Sequence, residues 1–226
     1  DILAFATDTV GRRFYDVRFK NLTTGETLPD VISDVTGNVA WANDNRTLFY
    51  GKQDPETLRS YQIYRHVLGA NPEEDVLVYE ETDTTFSVYV WKTRSDKYVM
   101  IHADQTLATE ARFLDADNPE GEFRVVAPRE RNVEYSVAHM GDRFIIRTNL
   151  EAKNFRIVEA ADATAADSGA CASPLRQELV RLCQLARQVL IDHDGYVLGG
   201  TSGAGKLCTA IGHPLVLSQF TLMVLT

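Results

Sequence analysis

The chain has 226 residues, 44% of them hydrophobic and 24% charged, with a net charge of −9. That is enough for one large domain, or one domain plus an appendage, in the composition range of soluble globular proteins. The acidic balance argues against a general nucleic-acid binder, which carries a basic footprint, and against attraction to anionic lipid.

The opening run ILAFATD reads as a strand with neither Met nor leader ahead of it, so the chain is expected to be part of something longer. In FYDVRFK, Tyr15, Val17 and Phe19 alternate with Asp16, Arg18 and Lys20, the period of a half-buried strand. NLTTGETL supplies the following turn, with Gly25 free to take a positive φ. GNVAWANDNRTLFYG then places a small-to-aromatic run before Asp44, a polar turn, and Leu48, Phe49 and Tyr50. The arrangement recurs around Asp96 in FSVYVWKTRSDKYVMI and around Asp142 in YSVAHMGDRFIIR, 52 and then 46 residues further on. A period of roughly 40–50 residues with several strands per unit is the signature of propeller blades. Each unit continues with an outer strand (YQIYRHVLG, EARFLDAD, NFRIVEA), and two units add a last strand (DVLVYEE, EFRVVAP). The apolar central strands are expected between blades, and the alternating outer strands are expected to face water on one side. Helical spacing is not sustained before residue 174.

Few of these residues suggest chemistry. His66, His102 and His139 lie within strands and read as packed or surface imidazoles rather than catalysts. Glu73, Glu74 and Asp75, and the pair Glu80 and Glu81, read as solvated turns and strand edges. The cysteines, Cys171, Cys183 and Cys208, are odd in number and lack paired spacing. They predict no disulfide framework, no zinc site and a reducing compartment.

Taken together, LRSYQIYRHVLG, EEDVLVYEE, FSVYVWKTRSDKYVMIHADQT and the run from ARFLDADNPEGEFRVVAP to NLEAKNFRI resemble the propeller of the oligopeptidase B branch of the prolyl oligopeptidase family of serine peptidases. The resemblance covers about residues 1–160. It implies a cytoplasmic serine peptidase that cleaves short peptides after Arg or Lys. In that family a propeller of about seven blades caps an α/β-hydrolase domain and excludes large folded substrates. The matched stretch supplies about three to four blades of a mainly β fold. The family's catalytic Ser, Asp and His belong to the hydrolase domain and match no position here. Accordingly no catalytic, cofactor-binding or metal residue is assigned and no cofactor is expected. Short basic peptides would be met through the catalytic domain of the full-length family, with no nucleic-acid or membrane partner.

Composition shifts near residue 160. Beyond it only Tyr196 and Phe220 are aromatic, and AADATAADSGACASP is small and weakly polar. The expected organisation is a partial propeller over 1–160, a linker over 161–173 and a short helical or poorly ordered tail over 174–226. In the tail Ser173 can cap a helix, Pro174 suits its first turn and Gly195 can close it. Leu175, Leu179, Leu182, Cys183, Ala186 and Val189 or Leu190 form its apolar face. The loop GGTSGAGK, residues 199–206, nearly spells a phosphate-binding motif through Gly200, Gly205 and Lys206, but Leu207 replaces the metal-ligating Ser or Thr. As a nucleophile elbow, Ser202 has Gly200 before it but Ala204 where the second glycine belongs. Asp192 and Asp194 precede that serine, and only His213 follows it, which breaks the Ser–Asp–His order of the hydrolases. A flexible glycine loop is the reading these residues favour, and the Asp-His-Asp run 192–194 reads as a solvated helix end. A reading-frame shift near codon 160 would account for the break. A free-standing, non-catalytic propeller-like binding module is the alternative function.

Overall fold

Alternation of apolar and polar side chains at period two builds the molecule almost entirely from strands. The computed structural model describes residues 1–162. The expected tail, with its helix, its glycine loop and all three cysteines, lies outside the described residues.

The strands are β1 (Ile2–Thr7), β2 (Tyr15–Asn21), β3 (Thr27–Trp41), β4 (Thr47–Gln53), β5 (Ser60–Val67), β6 (Val76–Glu80), β7 (Ser87–Lys92), β8 (Tyr98–Gln105), β9 (Ala108–Asp115), β10 (Arg124–Ala127), β11 (Tyr135–Met140), β12 (Arg143–Thr148) and β13 (Arg156–Ala161). They pair antiparallel in the orders β1-β2-β3-β4-β5-β6, β10-β9-β8-β7 and β11-β12-β13. Among the described residues no helix is long and apolar enough to cross a membrane.

The six-stranded sheet is two blades joined through one bent strand. Residues 27–35 of β3 pair with β2, and the register then breaks between Val35 and Val39 before Val39–Trp41 pair with β4. Gly37 makes the bend possible: its φ is +75°, and a Cβ there would lie 3.0 Å from the Tyr15 ring and 3.2 Å from Ala6 Cβ. Blade 1 is therefore β1, β2 and the first part of β3. Blade 2 is the rest of β3 with β4, β5 and β6. Blade 3 is β7–β10 and blade 4 is β11–β13. This is the mainly β, partial propeller expected from the repeat.

The three repeated aspartates fall at equivalent places, in the hairpins β3–β4, β7–β8 and β11–β12. Asp44 shows why the position favours an acid, since its Oδ1 accepts from the backbone N–H groups of Arg46 at 3.0 Å and Thr47 at 2.8 Å. Asp96 takes the left-handed conformation itself, and Gly141 does so beside Asp142. The turn expected at NLTTGETL joins β2 to β3, with Gly25 at φ +77°.

The apolar core is divided among the seams between neighbouring blades. Val17, Phe19, Ile32 and Val35 of blade 1 meet Leu48 and Tyr50 of blade 2. The opposite face of blade 2, including Ala40, Phe49 and Ile63, meets Val88, Val90, Val99 and Ile101 of blade 3. The far face of blade 3, with Tyr98, Met100 and Phe113, meets Val137, Phe144, Ile146 and Val158 of blade 4. Alternation in a central strand thus sorts side chains between two seams. One of the outer strands departs from the expectation of one wet face: β9 is buried on both faces over most of its length, whereas β6, β10 and β13 keep exposed positions. A blade flanked on both sides has no water-facing side, so its alternation reports which neighbour is touched.

Two acidic positions expected in solvent are buried instead. Asp75 follows a 3₁₀ turn, Pro72–Glu74, which Asn71 caps. Its carboxylate accepts from the Tyr50 hydroxyl at 2.9 Å and lies 2.8 Å from His66 Nδ1. Glu81, just past β6, is 3% exposed. Sequence-local reasoning placed both at a surface because their partners are remote or on neighbouring strands.

Candidate functional site

A propeller acts through its channel wall, and the wall is only as tight as the seams between blades. Two rims bound it here. One carries the blade-to-blade connections β6–β7 and β10–β11, and the other carries the aspartate hairpins.

The seam between blades 2 and 3 is stitched along its whole height. In the channel wall, Asn38 uses its side-chain amide as a strand segment: Nδ2 donates to Val90 O at 2.9 Å and Oδ1 accepts from Val90 N at 2.7 Å. Those groups of β7 point away from β8 and would otherwise be a bare sheet edge. On the hairpin rim, Asn43 Nδ2 donates to Asp96 O at 2.9 Å and to Asp117 Oδ1 at 2.8 Å. At the outer side, Arg65 donates to Pro119 O at 2.9 Å. Open clefts of about 360 and about 390 Å³ flank Arg65 there, but Arg65 and the neighbouring Arg112 are already engaged, the latter with Glu110 at 2.7 Å. Replacing Asn38 with Leu leaves the buried Val90 N–H and C=O unpaired. We expect a loss of about 1–3 kcal/mol in urea unfolding of the full chain.

The connection rim holds the densest charge cluster. Arg129 grips Glu81 with both terminal nitrogens, at 2.5 and 3.3 Å, and its Nε lies 3.5 Å from Glu110. The guanidinium sits 4.1 Å over the Phe86 ring. Tyr79 donates to Glu81 at 2.8 Å, and Arg59 donates to Phe86 O at 2.9 Å. Burial pushes the Glu81 carboxyl up, but hydrogen bonds from Arg129, the Asp83 N–H and Tyr79 bring it below the ordinary range. Burial and the Glu81 carboxylate together push the Tyr79 hydroxyl up to about 12.

The seam between blades 3 and 4 joins Ser95, His139 and Asp162. Ser95 Oγ lies 2.8 Å from His139 Nδ1, and His139 Nε2 lies 3.6 Å from Asp162 Oδ2. These residue types could suggest a nucleophilic trio. However, the imidazole is wholly buried, the carboxylate is too far for a hydrogen bond, and it is already held by Lys97 and by Tyr98 at 3.0 Å. The arrangement is a clasp between blades. Tyr135 adds a second clasp, donating to Ala127 O at 2.5 Å while its oxygen accepts from the buried Ala111 N at 2.7 Å. Of the histidines singled out in the sequence, all three are buried, each against a different set of neighbours. Among the described residues no group of three His, Cys, Asp or Glu is placed to hold a metal ion. The motifs at Gly200, Ser202, Gly205 and Lys206 lie outside the described residues.

The seam residues were not legible one at a time, yet the repeat contained their signal. Asn38 and Val90 are 52 residues apart, Arg65 and Pro119 are 54, Glu81 and Arg129 are 48, and Ser95 and His139 are 44. Cross-blade partners thus lie about one repeat apart.

Comparison with known proteins agrees with this geometry. Residues 1–191 match the sequence profile described as prolyl oligopeptidase, N-terminal beta-propeller domain. Dipeptidyl aminopeptidase BI of Pseudoxanthomonas mexicana is 50% identical over 160 residues, covering 70% of this chain and 22% of that protein. Protease 2 of Moraxella lacunata is 32% identical over 158 residues, covering 69% and 23%. Among solved structures, oligopeptidase B from Leishmania major superposes with a TM-score of 0.68 at 31% identity, covering 75% of this chain and 24% of that one. The chain thus spans less than a quarter of the length of these relatives. With a propeller-like array of antiparallel sheets and this match over most of its length, the chain belongs to the prolyl oligopeptidase family, as part of its N-terminal β-propeller.

Proposed function

We propose that this chain is the substrate-screening part of a serine oligopeptidase, acting by geometry while a hydrolase domain elsewhere in the full-length protein does the chemistry. The match of residues 1–191 to the family's N-terminal propeller profile is the observation that supports this reading. A wall of blades closed by buried polar clasps admits an extended peptide and turns away a folded protein. The substrates proposed are short peptides cleaved after Arg or Lys, in the cytoplasm. The net charge of −9 suits cationic peptides and disfavours nucleic acid and anionic membranes as partners.

A second specificity has its own support. A relative 50% identical to this chain is named a dipeptidyl aminopeptidase, which favours release of dipeptides from free N-termini. One experiment separates the two. The coding DNA is sequenced across codons 150–226 and beyond, all frames are translated, and the product of the complete reading frame is assayed. Cleavage of N-blocked peptides after Arg and Lys, with folded proteins left intact, is the expected result. Turnover only of peptides with a free N-terminus selects the dipeptidyl reading. Hydrolysis of neither class, with the chain still folded, overturns the peptidase proposal in favour of a non-catalytic binding module.

A further inference from the structure

The described residues include three histidines, and the seams share them unevenly. Among the described residues none lies on the faces that pack blade 2 on blade 3: His66 pairs with Leu48 of the blade 1–2 seam, His102 alternates with Ile101 and Ala103, and His139 is in blade 4. The blade 2–3 seam is held by amides, by Arg–carboxylate pairs and by backbone carbonyls, with no imidazole among them. His66, in blade 2, lies against blade 1 between two carboxylates, 2.8 Å from Asp75 and 3.7 Å from Asp30, and stacks on Phe19.

The seam between blades 3 and 4 differs. His102 on β8 stacks on Tyr89 of β7 at 4.9 Å, on the same face of β8 as Tyr98 and Met100, which pack toward blade 4. His139 on β11 bridges back to Ser95 and sits edge-on to Tyr98 at 4.8 Å and Phe144 at 5.2 Å. Its Nε2 is buried without a hydrogen bond. The charged groups facing His139 are Lys97 from the β7–β8 hairpin, Asp162 from the end of β13 and Asp142 from the β11–β12 hairpin. Asp162 does not simply welcome a second cation, because Lys97 and Tyr98 already occupy the oxygen nearest the ring. His102 faces Asp104 on its own strand and the Tyr89 ring.

We propose that the seam between blades 3 and 4 is an acid-labile joint in the propeller wall, loosened when His102 and His139 take up protons, while the seam between blades 2 and 3 stays clamped. Burial holds both rings below the ordinary imidazole range, with Lys97 adding to the effect at His139. A base whose folded-state value is depressed stabilises the fold fully above its unfolded value of 6.5 and loses that contribution as pH falls below it. Acid therefore acts on one seam and spares its neighbour.

The test is hydrogen exchange of the full chain between about pH 7.5 and about pH 5, corrected for the intrinsic pH dependence of exchange. Exchange in residues 135–148 is expected to rise by about tenfold or more, while residues 38–53 of blade 2 hold steady. The double variant His102→Phe, His139→Asn, in which the Asn oxygen can still accept from Ser95, is expected to remove the rise. The wild-type profile decides the question even where that variant fails to fold. Equal acid-induced exchange in both segments, or none in 135–148, overturns the proposal.

Discussion

Arg129→Ala is expected to lower the stability of the blade 2–3 seam by about 3–5 kcal/mol, the usual cost of leaving a buried charge without its partner. The Glu81 and Glu110 side chains are 4% and 8% exposed, against 30% for Arg129. Removing the guanidinium therefore strands anions, which is worse than losing an exposed ion pair. Glu110 keeps Arg112 at 2.7 Å, so most of the cost falls on Glu81, left with the Tyr79 hydroxyl and the Asp83 N–H. The Phe86 ring also loses its cation. Arg129→Lys recovers little, because an ammonium cannot span both oxygens of Glu81 and reach toward Glu110 at once. Urea unfolding followed at Trp41 and Trp91 brackets the seam, since these residues pack into the cores on either side of blades 2 and 3. A change below about 1 kcal/mol would place this cluster with ordinary surface pairs.

The same cluster has its own acid dependence. Glu81 lies below its ordinary value of 4.5 in the folded chain. Its contribution is therefore complete above that pH and is lost as pH falls through the folded value. The stability gap between wild type and Glu81→Gln is expected to be constant near neutrality and to shrink only under strongly acid conditions. This separates it from the histidine effect at the next seam, which begins near pH 6.5.

Much of this architecture can be read from residue order. Strand alternation in Tyr15–Phe19 and the spacing of Asp44, Asp96 and Asp142 report backbone geometry, which is local and repeats with each blade. Burial of Asp75 and Glu81 was not legible, because an acid in a polar run reads as solvated until a remote Tyr50, His66 or Arg129 is folded onto it. The bend at Gly37 was hidden for a related reason. Its necessity comes from Tyr15 and Ala6, which approach it only once blade 1 has folded back. Nothing in the run around Asn38 marked it out, yet its amide completes a neighbouring blade.

Phe113→Ala tests whether the blades are separable units. Phe113 is fully buried, meeting Tyr98 at 5.2 Å and Phe144 at 5.0 Å, with Arg124 4.6 Å over its ring. Truncation removes the centre of an aromatic cluster that spans blades 3 and 4, at a cost of about 3–5 kcal/mol. In a stacked array the loss belongs to one nearest-neighbour interface. Blade 4 is then held chiefly by the Tyr135 and His139 clasps, while the blade 2–3 seam retains Asn38, Asn43 and Arg129. Exchange protection in residues 135–161 is expected to collapse while that of residues 38–53 survives, splitting the unfolding into two steps. Phe113→Leu, which refills part of the space, should restore a single transition. Loss of protection in both segments together would mean that the blades fold as one cooperative body, and that the polar stitching of the blade 2–3 seam does not make it an independent joint.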